Sequence, residues 1–169
     1  MIIDDNYKFW LGGFVEGEGS LTISIVRHRN SPYGFLLQPE FNVAQHKNGL
    51  NILNAFKILF LNKGNILKKS GSENVWVYSL KGVSNLNKYL VPFFSKYVIK
   101  YSSKYKSNEF EKFVYILNIL GGKSKLNKNE FIDLVKLVYA LNPDGKGKTR
   151  KRTLSEVLTI IKDGDIESK

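Results

Sequence analysis

Residues 11 to 20, Leu11-Gly12-Gly13-Phe14-Val15-Glu16-Gly17-Glu18-Gly19-Ser20, hold an abrupt change of period. An apolar helical run precedes them and an apolar/polar alternation follows. A chain that must pass from helix to strand within Gly17 to Gly19 has few ways to fold. Ahead of the motif, Asp4 and Asp5 offer helix N-caps and Tyr7, Phe9 and Trp10 supply apolar residues, so a helix over about residues 5–17 is expected. Gly13 and Gly17 lie four apart with Gly12 beside them, which lowers helix propensity but lets a second backbone approach, as when a helix presses against a copy of itself. Glu18 projects from the helix C-terminus, where unpaired carbonyls already concentrate negative charge, so it needs a compensating cation. Across a two-fold axis, two Glu18 carboxylates and nearby carbonyl oxygens would form hard-oxygen ligands suited to Mg2+.

Beyond the motif, Leu21, Ile23 and Ile25 alternate with polar residues and predict a half-buried strand. The turn-rich Asn30-Ser31-Pro32-Tyr33-Gly34 leads to a second strand, about Leu36 to His46, with Phe41 and Val43 inward and Gln38, Glu40 and Asn42 outward. A helix capped by Asn48 or Asn51 should run through Phe60 and stop at Asn62-Lys63-Gly64. A second hairpin follows, Asn65 to Lys69 and Asn74 to Leu80 around Ser70-Gly71-Ser72-Glu73. Helices are expected from about Ser84 to Phe94, Asn108 to Leu120, Asn127 to Leu141 and from about Ser155. The order αββαββ followed by helices gives an α+β fold. A sheet covered by helices on one face leaves the outward strand residues available to a ligand.

Composition narrows the ligand. With 26 Lys/Arg against 15 Asp/Glu the net charge is +11, which points to a polyanion and first of all to nucleic acid. With 43% hydrophobic and 13% aromatic residues, the 169 residues read as one folded domain, 1–169, rather than a disordered tail. The absence of cysteine excludes disulfides, thiol nucleophiles and Cys-rich zinc sites, and His28 and His46 are the two imidazoles. Apolar runs are broken by Lys or Asn well before a bilayer span, so the chain reads as soluble, with no membrane partner.

The ten-residue stretch resembles the LAGLIDADG motif of homing endonucleases, with Gly12 where alanine is usual and glutamate in place of aspartate at both acidic positions. The resemblance implies an αββαββα-type fold with an antiparallel four-stranded DNA-binding saddle and additional C-terminal helices. One motif implies a homodimer that cuts a long pseudopalindromic duplex by metal-dependent phosphodiester hydrolysis, in intron or intein homing. Mg2+ is the expected cofactor, with Mn2+ or Ca2+ able to occupy the site. Glu18 takes the family's metal-binding position with the Gly19 carbonyl beside it, and Gly12, Gly13, Glu16 and Gly17 fall at the dimer interface. Gln45, ending the second strand in a Phe-x-Val-x-Gln pattern, matches the residue that positions the attacking water. Lys104 matches the catalytic lysine, with Lys106 a close alternative and Lys100 a distant one.

Base contacts fall to the outward strand residues Thr22, Ser24, His28, Gln38, Asn42, Lys69 and Val77. The basic loop of about 143–153 resembles the family's phosphate-contacting loop, with Lys148, Arg150, Lys151 and Arg152 as its cations. Two other readings share the fold: an RNA-binding maturase, which makes intron RNA a partner, and a noncatalytic DNA-binding regulator. An intron-encoded origin in a mitochondrion or chloroplast fits the Lys/Asn-rich composition, with a microbial cytoplasm as the alternative.

Overall fold

The computed structural model describes residues 3–122, 125–141 and 150–163. Helix α1 spans Asp5–Glu18 and starts at Asp4, whose Oδ1 accepts the Tyr7 N–H at 2.8 Å. It stops because Gly19 turns extended while its N–H still bonds the Val15 carbonyl, and strand β1, Gly19–Arg27, begins there. β2 covers Phe35–His46, α2 Leu50–Leu59, β3 Asn65–Lys68 and β4 Val75–Lys81. All pairings are antiparallel and the sheet order is β1-β2-β4-β3.

The strands keep the period of two that their sequence demands. Leu21 and Ile23, Phe41 and Val43, and Tyr78 and Leu80 turn to one face, where they are buried against Phe56 of α2, Phe60 at its C-cap, and Phe93 and Phe94. Phe41 sits at the centre of this core, edge-on to Phe56, Phe60, Tyr78 and Phe94. Burial pushes the Tyr78 hydroxyl pKa up, and the hydroxyl donates to the Lys63 carbonyl at 2.7 Å.

A continuous helical run over residues 83–101 follows β4. The sequence places its end near Phe94, yet it continues to Tyr101. Pro92 has no N–H for the ladder, and the run accommodates it with wide π turns at Leu86–Leu90 and Phe94–Val98. Phe93, Phe94, Tyr97 and Val98 are buried by this continuation, and that burial carries the helix past the proline.

Three helices follow among the described residues: α3 Lys104–Gly121, α4 Lys128–Leu141 and α5 Leu154–Asp163. The last two open on reciprocal capping pairs. Asn127 and Glu130 exchange bonds of 2.7 and 3.0 Å, and the Thr153 N–H and hydroxyl both donate to Glu156, whose carboxyl pKa is lowered by them. A second, smaller core joins Phe131, Val135, Val157 and Ile161 to Phe35. It supports the end of the β1/β2 hairpin remote from Glu18.

Candidate active site and nucleic-acid interface

β1 is an edge strand, so alternate carbonyls along it have no strand to pair with. Two of them are capped by cations. Lys106 Nζ donates to the Gly19 carbonyl at 2.8 Å, and Arg150 Nη1 donates to the Ile23 carbonyl at 3.0 Å. These positions have the same parity, which orients Pro39, the partner of Ile23, toward the β4 side. There β4 has already ended at Lys81, opposite Glu40, so the missing proline N–H breaks no ladder bond.

The Gly19 contact distinguishes the two lysines by position. Lys106 is buried at the root of the motif, whereas Lys104, one helical half-turn away at the start of α3, is exposed and points elsewhere. Lys106, the close alternative to Lys104, is therefore the lysine that lies beside the motif. Its other neighbour is Glu109, 3.8 Å away and also buried. Desolvation raises the Glu109 carboxyl pKa, with Lys106 opposing the rise and Glu16 adding to it.

Glu18, the last residue of α1, is exposed beside Gly19, and Gln45 stands at the same end of the sheet, two residues beyond Val43, the partner of Gly19. The Gln45 Oε1 accepts the His46 N–H at 2.7 Å. Gly49 makes room for this side chain, since a Cβ there would lie 2.4 Å from the Gln45 Cγ. The sequence reading missed Gly49; a glycine four residues past the strand-end glutamine, just before a helix, was the available signal.

Two residues expected at a dimer interface are engaged within their own chain. Gly12 is buried against the helical run, where an added Cβ would lie 2.1 Å from the Tyr97 carbonyl oxygen. Glu16 accepts the Ser103 N–H at 3.1 Å, so its carboxylate sits at the N-terminus of α3, where the helix dipole favours negative charge. Its Oε2 is buried without a hydrogen bond. Gly13 and Gly17, in contrast, face open space. They share a helix face with Trp10 and Phe14, whose rings stack at 5.6 Å while Trp10 stays half exposed.

The face of the sheet away from the core carries Thr22 and Ser24 of β1, Gln38 and Asn42 of β2 and Val77 of β4, all at positions opposite in parity to the buried set. His28 and Lys69, each just past a strand end, continue the alternation and are exposed. A row of short polar side chains, Ser20, Asn42, Ser79 and Asn65, crosses all four strands in register. Lys81 and Glu40 also lie on this face and were not among the expected base contacts.

Of the expected phosphate-binding cations, Lys148 lies outside the described residues. Lys151 and Arg152 are exposed. Arg150 differs: besides Ile23 it bonds the Val138 carbonyl at 3.0 Å and stacks on Tyr139, with the guanidinium 4.9 Å from the ring centre. Partial desolvation lowers its pKa. Arg150 thus clamps the edge strand to α4 within the chain. Arg150→Ala is expected to cost about 2 kcal/mol and to lower the melting temperature by about 4–8 °C. Lys151→Ala with Arg152→Ala should leave the melt in place and lower the salt slope of duplex binding by about 2. Thermal melts and salt titrations of both variants check this.

Among the described residues no cluster of three or more His, Cys, Asp or Glu side chains could hold a metal. One chain supplies the Glu18 carboxylate and, beside it, the Gly19 carbonyl, one lone pair of which Lys106 already takes; this all-oxygen set suits a hard divalent ion but is too small to enclose one.

The family model for the LAGLIDADG endonuclease matches residues 11–117. DNA endonuclease I-CeuI of Chlamydomonas moewusii is 35% identical over 136 residues, 80% of this chain and 59% of that protein. The chain belongs to the LAGLIDADG endonuclease family. It thus spans 59% of the length of that curated relative. The solved structure of I-CeuI complexed with DNA superposes with a TM-score of 0.86 at 26% identity, covering 95% of this chain and 78% of that one. An archaeal intron-encoded homing endonuclease, I-Vdi141I, also complexed with DNA, gives a TM-score of 0.84 at 34% identity and covers 96% and 98%. The α+β fold read from the motif and the strand alternation is the fold of these proteins.

Proposed function

We propose that this chain is a site-specific double-strand DNA endonuclease that works as a homodimer with divalent metal, Mg2+ in the first instance, on a long pseudopalindromic target. The observation that carries the reading is the placement of exposed Glu18 at the end of an open, polar sheet face, with Lys106 bonded to the next carbonyl. The name of I-CeuI and the DNA-complexed structures of I-CeuI and I-Vdi141I support DNA as the substrate. The open α1 face, with Trp10 and Phe14 beside Gly13 and Gly17, supports a second copy as the partner. Pairing there would bring two Glu18 carboxylates together and complete a donor set that one chain leaves half built.

Glu18 and the Gly19 carbonyl would hold the metal, which when bound supplies a Lewis acid and lowers the pKa of water. Lys106, fixed at the carbonyl, places positive charge where negative charge grows on the phosphate during cleavage. Gln45 presents an amide at the same strand end and orients the attacking water. Sheet residues read bases, while exposed Lys151 and Arg152 anchor phosphates.

Incubating the protein with Mg2+ and a randomised duplex library, then sequencing the ends, tests the whole reading; a single recurrent cut site is expected. Duplex binding without cut ends would make the chain a noncatalytic regulator, and binding confined to intron RNA would make it a maturase. Within the site, Lys106→Met is expected to slow cleavage about 10²-fold, as loss of one charge-stabilising donor does. Lys104→Met should cut like the parent. Single-turnover cleavage of both variants, with melting curves to confirm folding, separates the two lysines.

A further inference from the structure

Glu40 is the one acidic side chain on the four strands, in a chain of net charge +11, and its position in β2 turns it to the open face of the sheet. A carboxylate there repels phosphate, so its retention on a duplex-binding surface calls for a different contact. Its surroundings leave one oxygen prepared to accept. Ser79 Oγ donates a short hydrogen bond to Oε1, and Lys81 Nζ lies 3.4 Å from the same oxygen. Among the described residues no hydrogen bond falls on Oε2.

The backbone is fixed as well. The Glu40 carbonyl accepts the Thr22 hydroxyl at 3.4 Å, and Glu40 pairs with Thr22 on one side and Lys81 on the other. The carboxylate is therefore held at low entropy, 18% exposed, midway along β1 and β2 and opposite the last residue of β4.

We propose that Glu40 is a base-reading residue whose Oε2 accepts a hydrogen bond from the exocyclic amino group of cytosine in the major groove. The inference rests on the DNA endonuclease reading and adds one base preference to it. A carboxylate suits the cytosine N4 donor and meets only acceptors on the major-groove edges of guanine and thymine O4. Ser79 and Lys81 fix the rotamer and offset part of the charge that would otherwise repel the backbone. Thr22 is three residues from Gly19 along β1, about 10 Å at strand rise. That distance sets the read pair about three base pairs from the cut.

Binding selection from a randomised duplex library, run in Ca2+ on the full chain, gives the test. The parent protein should select cytosine at one position in each half-site. E40Q should lower that preference about tenfold, admit adenine, which a glutamine amide pairs, and leave preferences elsewhere in place. E40D, which keeps the acceptor on a shorter stem, should weaken the preference but retain cytosine, and decides the matter if E40Q does not fold. A parent protein that selects no sequence overturns the endonuclease reading together with this one. A parent that selects a site whose profile E40Q and E40D leave unchanged, or lower uniformly at all positions, overturns the role of Glu40 alone.

Discussion

Glu18→Gln is expected to lower cleavage of the preferred duplex by about 10³-fold while duplex binding survives. The amide keeps the volume and hydrogen-bonding reach of the carboxylate but not the charge, and a ligand position worth about 4 kcal/mol of transition-state stabilisation corresponds to that factor. Folding should be untouched, because Glu18 is exposed and α1 is closed by the Gly19 N–H to the Val15 carbonyl, a bond the substitution does not reach. Binding should hold or tighten, since in the proposed dimer two opposed carboxylates near the DNA backbone become neutral. The measurement is single-turnover cleavage in Mg2+ beside an equilibrium titration of the same duplex. Undiminished cutting removes Glu18 from the site; parallel loss of cutting and binding makes it a binding residue instead.

What the sequence revealed and what it hid follow from the reach of local patterns. The turn from helix to strand at Gly19 and the alternation of β1 and β2 need only neighbouring residues, so the outward face carrying Thr22, Ser24, Gln38 and Asn42 could be read before any coordinates. The lysine could not be assigned in that way. Lys104 and Lys106 differ by about 200° around a helix, and which one faces Gly19 depends on how α3 lies across the edge of β1. The intrachain contacts of Arg150 were hidden for a related reason. Its acceptors, the Ile23 and Val138 carbonyls, lie 127 and 12 residues away, and nothing in a Lys/Arg run announces an unpaired strand edge. Glu40 was placed outward correctly, but its link to Ser79 and Lys81 exists because β2 neighbours β4 and not β3, a choice of strand order that hairpin signals do not encode.

The two adjacent glycines of the motif should separate folding from assembly. Gly12→Ala is expected to cost about 3 kcal/mol or more, because the new methyl would sit 2.1 Å from the Tyr97 carbonyl oxygen and 2.8 Å from its carbon. These are backbone atoms of a buried helical run, so no side chain can swing aside, and α1 must lift away from Tyr97 and Val98. The stronger helix propensity of alanine, about 1 kcal/mol, offsets only part of this. Gly13 lies about 100° further round the helix and meets nothing within 4 Å in its own chain. Gly13→Leu should therefore leave the monomer folded, with a melting temperature near that of the parent, while forcing apart the two α1 helices of the proposed dimer. Sedimentation should find folded monomers, and cleavage should fail because the Glu18 carboxylates no longer meet. A stable, active Gly13→Leu dimer would move the interface off this face of α1, and a Gly12→Ala protein that melts like the parent would contradict the packing of α1 against Tyr97.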